Sequence, residues 1–112
     1  MIAKASARFI RMSPQKARLV VDLIRGKDVN DALMTLRFTN KRATGPIEKV
    51  VRSAIANATE RGEDVDVDNL FIERAFINEG PRLKRIRPAP MGRAFGYMRR
   101  MSHITVELGE KE

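Results

Sequence analysis

The sequence contains no cysteine and no tryptophan, and only 5% of its 112 residues are aromatic. Without cysteine, the chain can form neither a disulfide framework nor a thiolate zinc site. Its apolar runs span a few residues, far short of the ~20 that cross a bilayer. The first residues, with Lys4, Arg8 and Arg11, lack the apolar core of a signal peptide. We therefore expect a cytoplasmic protein with no membrane partner.

The sequence also offers few combinations of residues that could carry out catalysis. The single histidine, His103, has no cysteine to activate, and its neighbour Ser102 should point to the opposite face of a strand. There is no phosphate-binding glycine loop. We predict that the protein is not an enzyme and needs no cofactor, and that His103 is either a structural residue or a phosphate contact.

An acidic stretch resembles the start of a calcium loop through Asp64, Asp66 and Asp68. The pattern then fails, because Asn69 occupies the position that requires glycine and Ala75 the position that requires a bidentate glutamate. We interpret this stretch as a solvated acidic turn and predict no metal site.

The positive charge is abundant but unevenly distributed. The chain has a net charge of +8, of which residues 1–52 contribute +8, residues 53–79 contribute −5 and residues 80–106 contribute +7. The last of these segments has seven basic residues and no carboxylate, so its charges cannot be neutralised by internal pairing. We expect a polyanion to supply the countercharge.

The apolar periodicity predicts one domain, residues 1–112, with strands and helices in alternation. Alternating apolar residues predict a strand over Ala3–Phe9 with a basic outward face, and Ser13-Pro14 begins a helix that ends at Gly26. A second helix starts at Asp28 or Asn30, with Phe38 closing its apolar side, and a third extends up to Gly62. Strands are expected at 70–77 and 103–108.

If those last two strands pair, the residues between them must travel out and back as a basic arm, residues 80–102, beside a globular body of 1–79 and 103–112. Arginine matches the geometry of phosphate, and Phe95 and Tyr97 could stack on unpaired bases between the charges. The alternative is that these two rings pack across the hairpin.

Several segments, taken together and in order, resemble one known family. They are Ser13-Pro14-Gln15-Lys16-Ala17-Arg18, Asp22-Leu23-Ile24-Arg25-Gly26-Lys27, Ser53-Ala54-Ile55-Ala56-Asn57-Ala58, Glu79-Gly80-Pro81, Leu83-Lys84-Arg85, Gly92-Arg93-Ala94 and Ser102-His103-Ile104-Thr105-Val106. This pattern is similar to bacterial ribosomal protein twenty-two of the large subunit, over nearly the whole chain. One departure is Ala89-Pro90, where the family usually has an Arg-Ala pair before the hairpin tip.

The resemblance implies an α+β fold, with three helices packed on a three-stranded antiparallel sheet and a long protruding β-hairpin. It also implies a structural protein of the large ribosomal subunit that binds ribosomal RNA, aids subunit assembly and lines the nascent-peptide exit tunnel with its hairpin. The expected partners are large-subunit ribosomal RNA, neighbouring ribosomal proteins and the nascent peptide.

From the charge pattern and the resemblance together, we predict that RNA is bound by basic residues of the first strand and helix and by the arm. The predicted residues are Lys4, Arg8, Arg11, Lys16, Arg18, Arg25, Arg82, Lys84, Arg85, Arg87, Arg93, Phe95, Tyr97, Arg99, Arg100 and His103. Two other classes compete with this prediction. One is a DNA-architectural protein that inserts a proline-tipped ribbon into the minor groove, and the other is an RNA-processing enzyme that uses His103.

Overall fold

The computed structural model describes residues 2–61, 66–88 and 94–110, with the backbone alone for the strands within 83–99. Within these ranges the chain forms three helices and two antiparallel sheets. The elements in chain order are β1 (Ala3–Ile10), α1 (Pro14–Val21), α2 (Val29–Phe38), α3 (Thr44–Arg61), a short 3₁₀ turn (Val67–Asn69), β2 (Leu70–Glu79), β3 (Leu83–Pro88), β4 (Ala94–Arg99) and β5 (Ser102–Glu110). This confirms the predicted α+β class.

The body is a three-stranded sheet of order β1-β5-β2, with the helices packed on one face. The closing strand therefore lies in the middle, and its alternate residues Ile104, Val106 and Leu108 are fully buried. The helices face them with fully buried aliphatic and alanine side chains, among them Val20 of α1 and Val51 of α3. Burying each side chain of this size contributes about 1.5–3 kcal/mol, so this layer is the core of the body.

A register shift in β2 keeps a charged residue out of that core. Strict alternation from Leu70 and Ile72 would place Arg74 and Phe76 on the buried face. The irregularity between Ile72 and Arg74 brings Ala75 and Ile77 to the buried side instead. The sequence predicted this strand, and the structure extends it to Glu79.

The helix predictions are confirmed in position, with two corrections. The first helix ends at Val21 rather than near Gly26, and residues 22–26 continue as turns, with Ile24 still fully buried. Gly26 has a φ of +76°, which glycine adopts at low cost. Gly26 therefore has the left-handed backbone expected of a terminating glycine, although it ends the turns that follow the helix and not the helix itself. Phe38 does not close the apolar side of α2, because it is 80% exposed.

The second sheet is the ribbon of β3 and β4, which projects from the body as predicted. The molecule measures 65 × 25 × 15 Å, and its radius of gyration is 17.2 Å. A compact chain of this length would have a radius of gyration of about 13 Å. No helix in the described part of the chain is long and apolar enough to cross a membrane.

Candidate nucleic-acid interface

Two of the predicted basic residues on the first helix region are bound to the protein's own sheet. Arg18 Nη2 donates to the carbonyl oxygen of Ile77 at 3.1 Å, and Arg25 Nε donates to that of Ala75 at 2.8 Å. Because β2 is an edge strand, these carbonyls point away from its partner strand and need another donor. Arg18 and Arg25 therefore bind carbonyl groups of a sheet edge although both residues are exposed, and Lys16 on α1 is exposed as well.

The basic residues of the first strand lie on the sheet face opposite the helices. Lys4 and Arg8 are exposed, and Lys4 is paired in register with Glu107, which also forms an ion pair with Arg74 at 3.5 Å. Lys4 thus lies beside a carboxylate, while Arg8 lies at the end of the strand nearest the arm. Arg11 follows that end and is exposed too.

The base of the arm is held by a buried hydroxyl and a close backbone approach. Ser102 is fully buried, and its Oγ donates to the carbonyl oxygen of Met12 at 2.7 Å. The Gly80 N–H donates to the carbonyl oxygen of Met101 at 2.8 Å, and a Cβ at Gly80 would lie only 3.2 Å from Met101 atoms. The two strands that leave the body are therefore fixed relative to each other where the arm begins.

Two basic residues, Arg82 and Arg100, lie where the arm leaves the body. Arg82 lies 3.7 Å from Glu79, both about half exposed, so the pair contributes little to stability. Arg100 is exposed on the returning strand segment.

The arm itself brings the remaining predicted residues together along one ribbon. The backbone register pairs Leu83 with Arg99, Lys84 with Met98, Arg85 with Tyr97 and Arg87 with Phe95. Arg93, like Gly92 and Ala89-Pro90, lies outside the described residues. Two of the register pairs of the ribbon therefore join a basic and an aromatic position.

His103 forms no catalytic pair with Ser102 and instead contacts the first strand. Its Nδ1 accepts a hydrogen bond from the Phe9 N–H at 3.1 Å, and its ring meets the Phe9 ring edge to face, with centroids 5.0 Å apart. Ser102 points the other way, into the core. The prediction that these neighbours face opposite sides of the strand is correct.

The position of Phe9 also differs from the prediction. Alternation placed it with Ala3 and Ala5 on the buried side, but it is 57% exposed and has a φ of +60°. The register of β1 shifts between Ala7 and Ile10, which turns Phe9 out of the core. No pattern of residue types in this strand indicates the shift.

The acidic stretch forms a local turn as far as the structure describes it. Asp66 Oδ1 accepts from the Asp68 N–H at 3.0 Å, and Asp66 Oδ2 accepts from Asn69 Nδ2 at 3.3 Å. Asp66 therefore caps the 3₁₀ turn, while Asp64 lies outside the described residues. Among the residues that the structure describes, no cluster of three or more side chains could hold a metal ion.

Comparisons with known proteins show which family the chain belongs to. The family described as ribosomal protein L22p/L17e matches residues 5–109. The chain belongs to the ribosomal protein L22p/L17e family. Similar relatives include the "Large ribosomal subunit protein uL22" of Solibacter usitatus, 64% identical over 112 residues that make up 100% of this chain and 99% of the relative. The protein of the same name from Koribacter versatilis is 58% identical over 96% of this chain and 66% of its own length.

A third relative, also called "Large ribosomal subunit protein uL22", comes from Desulfitobacterium hafniense and is 56% identical over 98% of this chain and 96% of its own length. The family resemblance inferred from the sequence motifs is therefore confirmed. The L22p/L17e match spans the body and both strands of the arm.

Proposed function

We propose that the protein is a non-catalytic structural component of the large ribosomal subunit, which binds ribosomal RNA chiefly through its arm and lines the nascent-peptide exit tunnel with the arm's tip. The observation that carries this proposal is the arm: residues 80–102 hold seven basic residues and no carboxylate. Membership of the L22p/L17e family supports the choice of ribosomal RNA as the polyanion.

The shape of the arm favours RNA that is already folded and crowded. A ribbon of two strands is about 5 Å wide between backbones, and the six paired residues on each side reach about 20 Å from the base. An isolated two-stranded ribbon is marginally stable in water. Contacts with phosphates on both sides of the ribbon would supply the missing stabilisation and neutralise its charge.

The register also supports contacts with unpaired bases. Arg85 is paired with Tyr97 and Arg87 with Phe95, so each aromatic position adjoins a basic one. Aromatic rings stack on bases of any sequence, and neighbouring guanidinium groups bind the adjoining phosphates. We propose the same phosphate-binding role for Lys4, Arg8, Arg11, Lys16, Arg82, Arg99 and Arg100. Arg18 and Arg25 each use one guanidinium nitrogen to bind the sheet edge, and we propose that only their remaining N–H groups contact RNA.

The salt dependence of binding tests the role of the arm. If the arm neutralises about six phosphates, the log-log slope of affinity against salt is about −4 to −5 for a large-subunit ribosomal RNA transcript. Replacing Lys84, Arg85, Arg87 and Arg93 by Gln should make the slope shallower by about three. The measurement is filter binding or fluorescence anisotropy across a salt series.

A matched control comes from the body. Replacing the exposed residues Arg37, Lys41, Arg42 and Lys49 by Gln changes the net charge equally and should leave the slope nearly unchanged. Equal effects of the two variants, or a wild-type slope near −1, would contradict binding through the arm. Stronger binding to a bent DNA duplex than to the ribosomal RNA would favour the DNA-architectural class.

Crosslinking tests the position of the tip. A photoreactive residue placed at position 93 in translating ribosomes should crosslink to the radiolabelled nascent chain. Ribosomes that contain this variant and give no nascent-chain crosslink would contradict the tunnel-lining role while leaving RNA binding intact.

A further inference from the structure

Phe9 combines three features that a purely structural residue does not need. It is a large aromatic side chain that is 57% exposed, it lies at an irregularity of β1, and its backbone is in the left-handed region with φ of +60°. The left-handed conformation is unfavourable for a residue with a Cβ, and asparagine or glycine would adopt it more easily. Strain of this kind at an exposed residue points to a function.

The contact with His103 holds the Phe9 ring in one orientation without covering it. The Phe9 N–H donates to His103 Nδ1, and the two rings meet at an interplanar angle of 88°. Despite this contact, more than half of the Phe9 residue stays exposed. Since Nδ1 acts as the acceptor, the neutral imidazole carries its proton on Nε2, which is then a hydrogen-bond donor.

The surroundings are positive. Exposed Arg8 and Arg11 flank Phe9 in the chain, and neither residues 1–21 nor residues 80–106, which bring Phe9 and His103 together, contain a carboxylate. From β2, the position opposite His103 is the uncharged Asn78. The next β2 residue, Glu79, is held in an ion pair with Arg82.

We propose that Phe9 and His103 form a binding site for one unpaired nucleobase of RNA. This inference rests on the RNA binding proposed above. The base stacks on the exposed part of the Phe9 ring, His103 Nε2 donates a hydrogen bond to it, and Arg8 and Arg11 bind the phosphates on either side. Neutral or acidic protein surfaces fit this cationic site less well, because its charges would lack partners.

The absence of tryptophan provides a direct test. In Phe9→Trp the single indole reports on stacking, because a base stacked on it quenches its fluorescence. We expect quenching by oligoadenylate but not by inorganic polyphosphate of equal charge. In the matched control Phe38→Trp, which places the indole at an exposed position on α2, neither probe should quench.

The outcomes separate this inference from the RNA-binding proposal. Unchanged fluorescence of Phe9→Trp while labelled oligoadenylate is shown by anisotropy to bind would overturn the inference and leave RNA binding intact. A change in fluorescence with polyphosphate as large as that with oligoadenylate would overturn it too. Failure of the wild-type protein to bind either oligoadenylate or ribosomal RNA would instead overturn the proposed function.

A second variant excludes a loss of fold as the explanation. Phe9→Asn suits the left-handed backbone, so we expect its melting temperature to match or exceed that of the wild type. Its affinity for oligoadenylate should fall about tenfold, whereas Phe9→Tyr, which keeps a ring, should stay within about twofold. Equal affinities of the Asn and wild-type proteins would contradict the site.

Discussion

At the scale of single residues, the buried hydroxyl of Ser102 has the clearest structural role. Its Oγ donates to the Met12 carbonyl oxygen at 2.7 Å inside the body, where the first strand ends and the last begins. Ser102→Ala leaves that oxygen without this donor, so the free energy of unfolding should fall by about 1–2 kcal/mol. Urea denaturation followed by circular dichroism measures the change.

Ser6 provides the comparison, because it lies on β1 with its side chain exposed. Ser6→Ala should change the free energy of unfolding by less than about 0.5 kcal/mol. If both substitutions have the same effect, the Ser102 hydrogen bond does not stabilise the base of the arm.

Sequence patterns predict most residues of the core but not those at irregularities. Alternation correctly placed Ile104, Val106 and Leu108 inside, because the extra residues at both register shifts lie in β1 and β2 and leave the period of two in β5 intact. It misplaced Phe9, because a register shift reverses the faces of a strand and leaves no signature in residue type. The sequence therefore predicts Arg8, Arg11 and His103 as RNA-binding residues, and only the structure places an exposed Phe9 beside His103.

At the scale of elements, the turn after α1 and the side chains of two helices cover both edges of the sheet. Gly26 and Lys27 exchange backbone hydrogen bonds with Ile72 on β2. On the other edge, α3 covers β1, since Asn57 Nδ2 donates to the Lys4 carbonyl oxygen at 2.9 Å and Arg61 donates to that of Ile2 at 2.6 Å. Covered edges cannot pair with a second chain.

This arrangement explains why the sequence pointed to RNA contacts for Arg18 and Arg25 and did not predict their bonds to the sheet edge. The order β1-β5-β2 makes β1 and β2 the edge strands. The residue pattern within one strand does not indicate which other strands pair with it, so the sequence does not predict which strands lie at the edges. An arginine that donates hydrogen bonds to a sheet edge and an arginine that binds RNA phosphate can have the same neighbouring residues in the sequence.

A pair of substitutions on α1 distinguishes the two roles. Arg18→Gln removes the bond to Ile77, so the free energy of unfolding should fall by about 1 kcal/mol. Lys16→Gln, two residues away and exposed, should stay within about 0.5 kcal/mol of the wild type. Thermal denaturation of both variants gives the comparison, and equal stabilities would show that Arg18 does not stabilise the edge.

At the scale of the whole molecule, the charge and the core lie in different places. Among the residues whose side chains the structure describes, which exclude 83–99, the buried aliphatic residues come from the body strands and from the helices and their connections. The sequence predicts that the arm adds little to this core, because the arm has seven basic residues and no apolar period. The apex at 89–93 is outside the described residues, and the prediction for Arg93 stays a prediction.

Removal of the arm tests whether the body folds without it. Deleting residues 83–99 leaves Pro81, Arg82 and Arg100 as a three-residue connection between Gly80 and Met101, whose backbones already share a hydrogen bond. Hairpin connections of two to five residues are common. We expect cooperative melting within a few degrees of the wild type, together with a large loss of affinity for ribosomal RNA, because five basic residues are removed. Differential scanning calorimetry checks the first expectation, and a broad, non-cooperative transition would show that the ribbon is part of the folding unit.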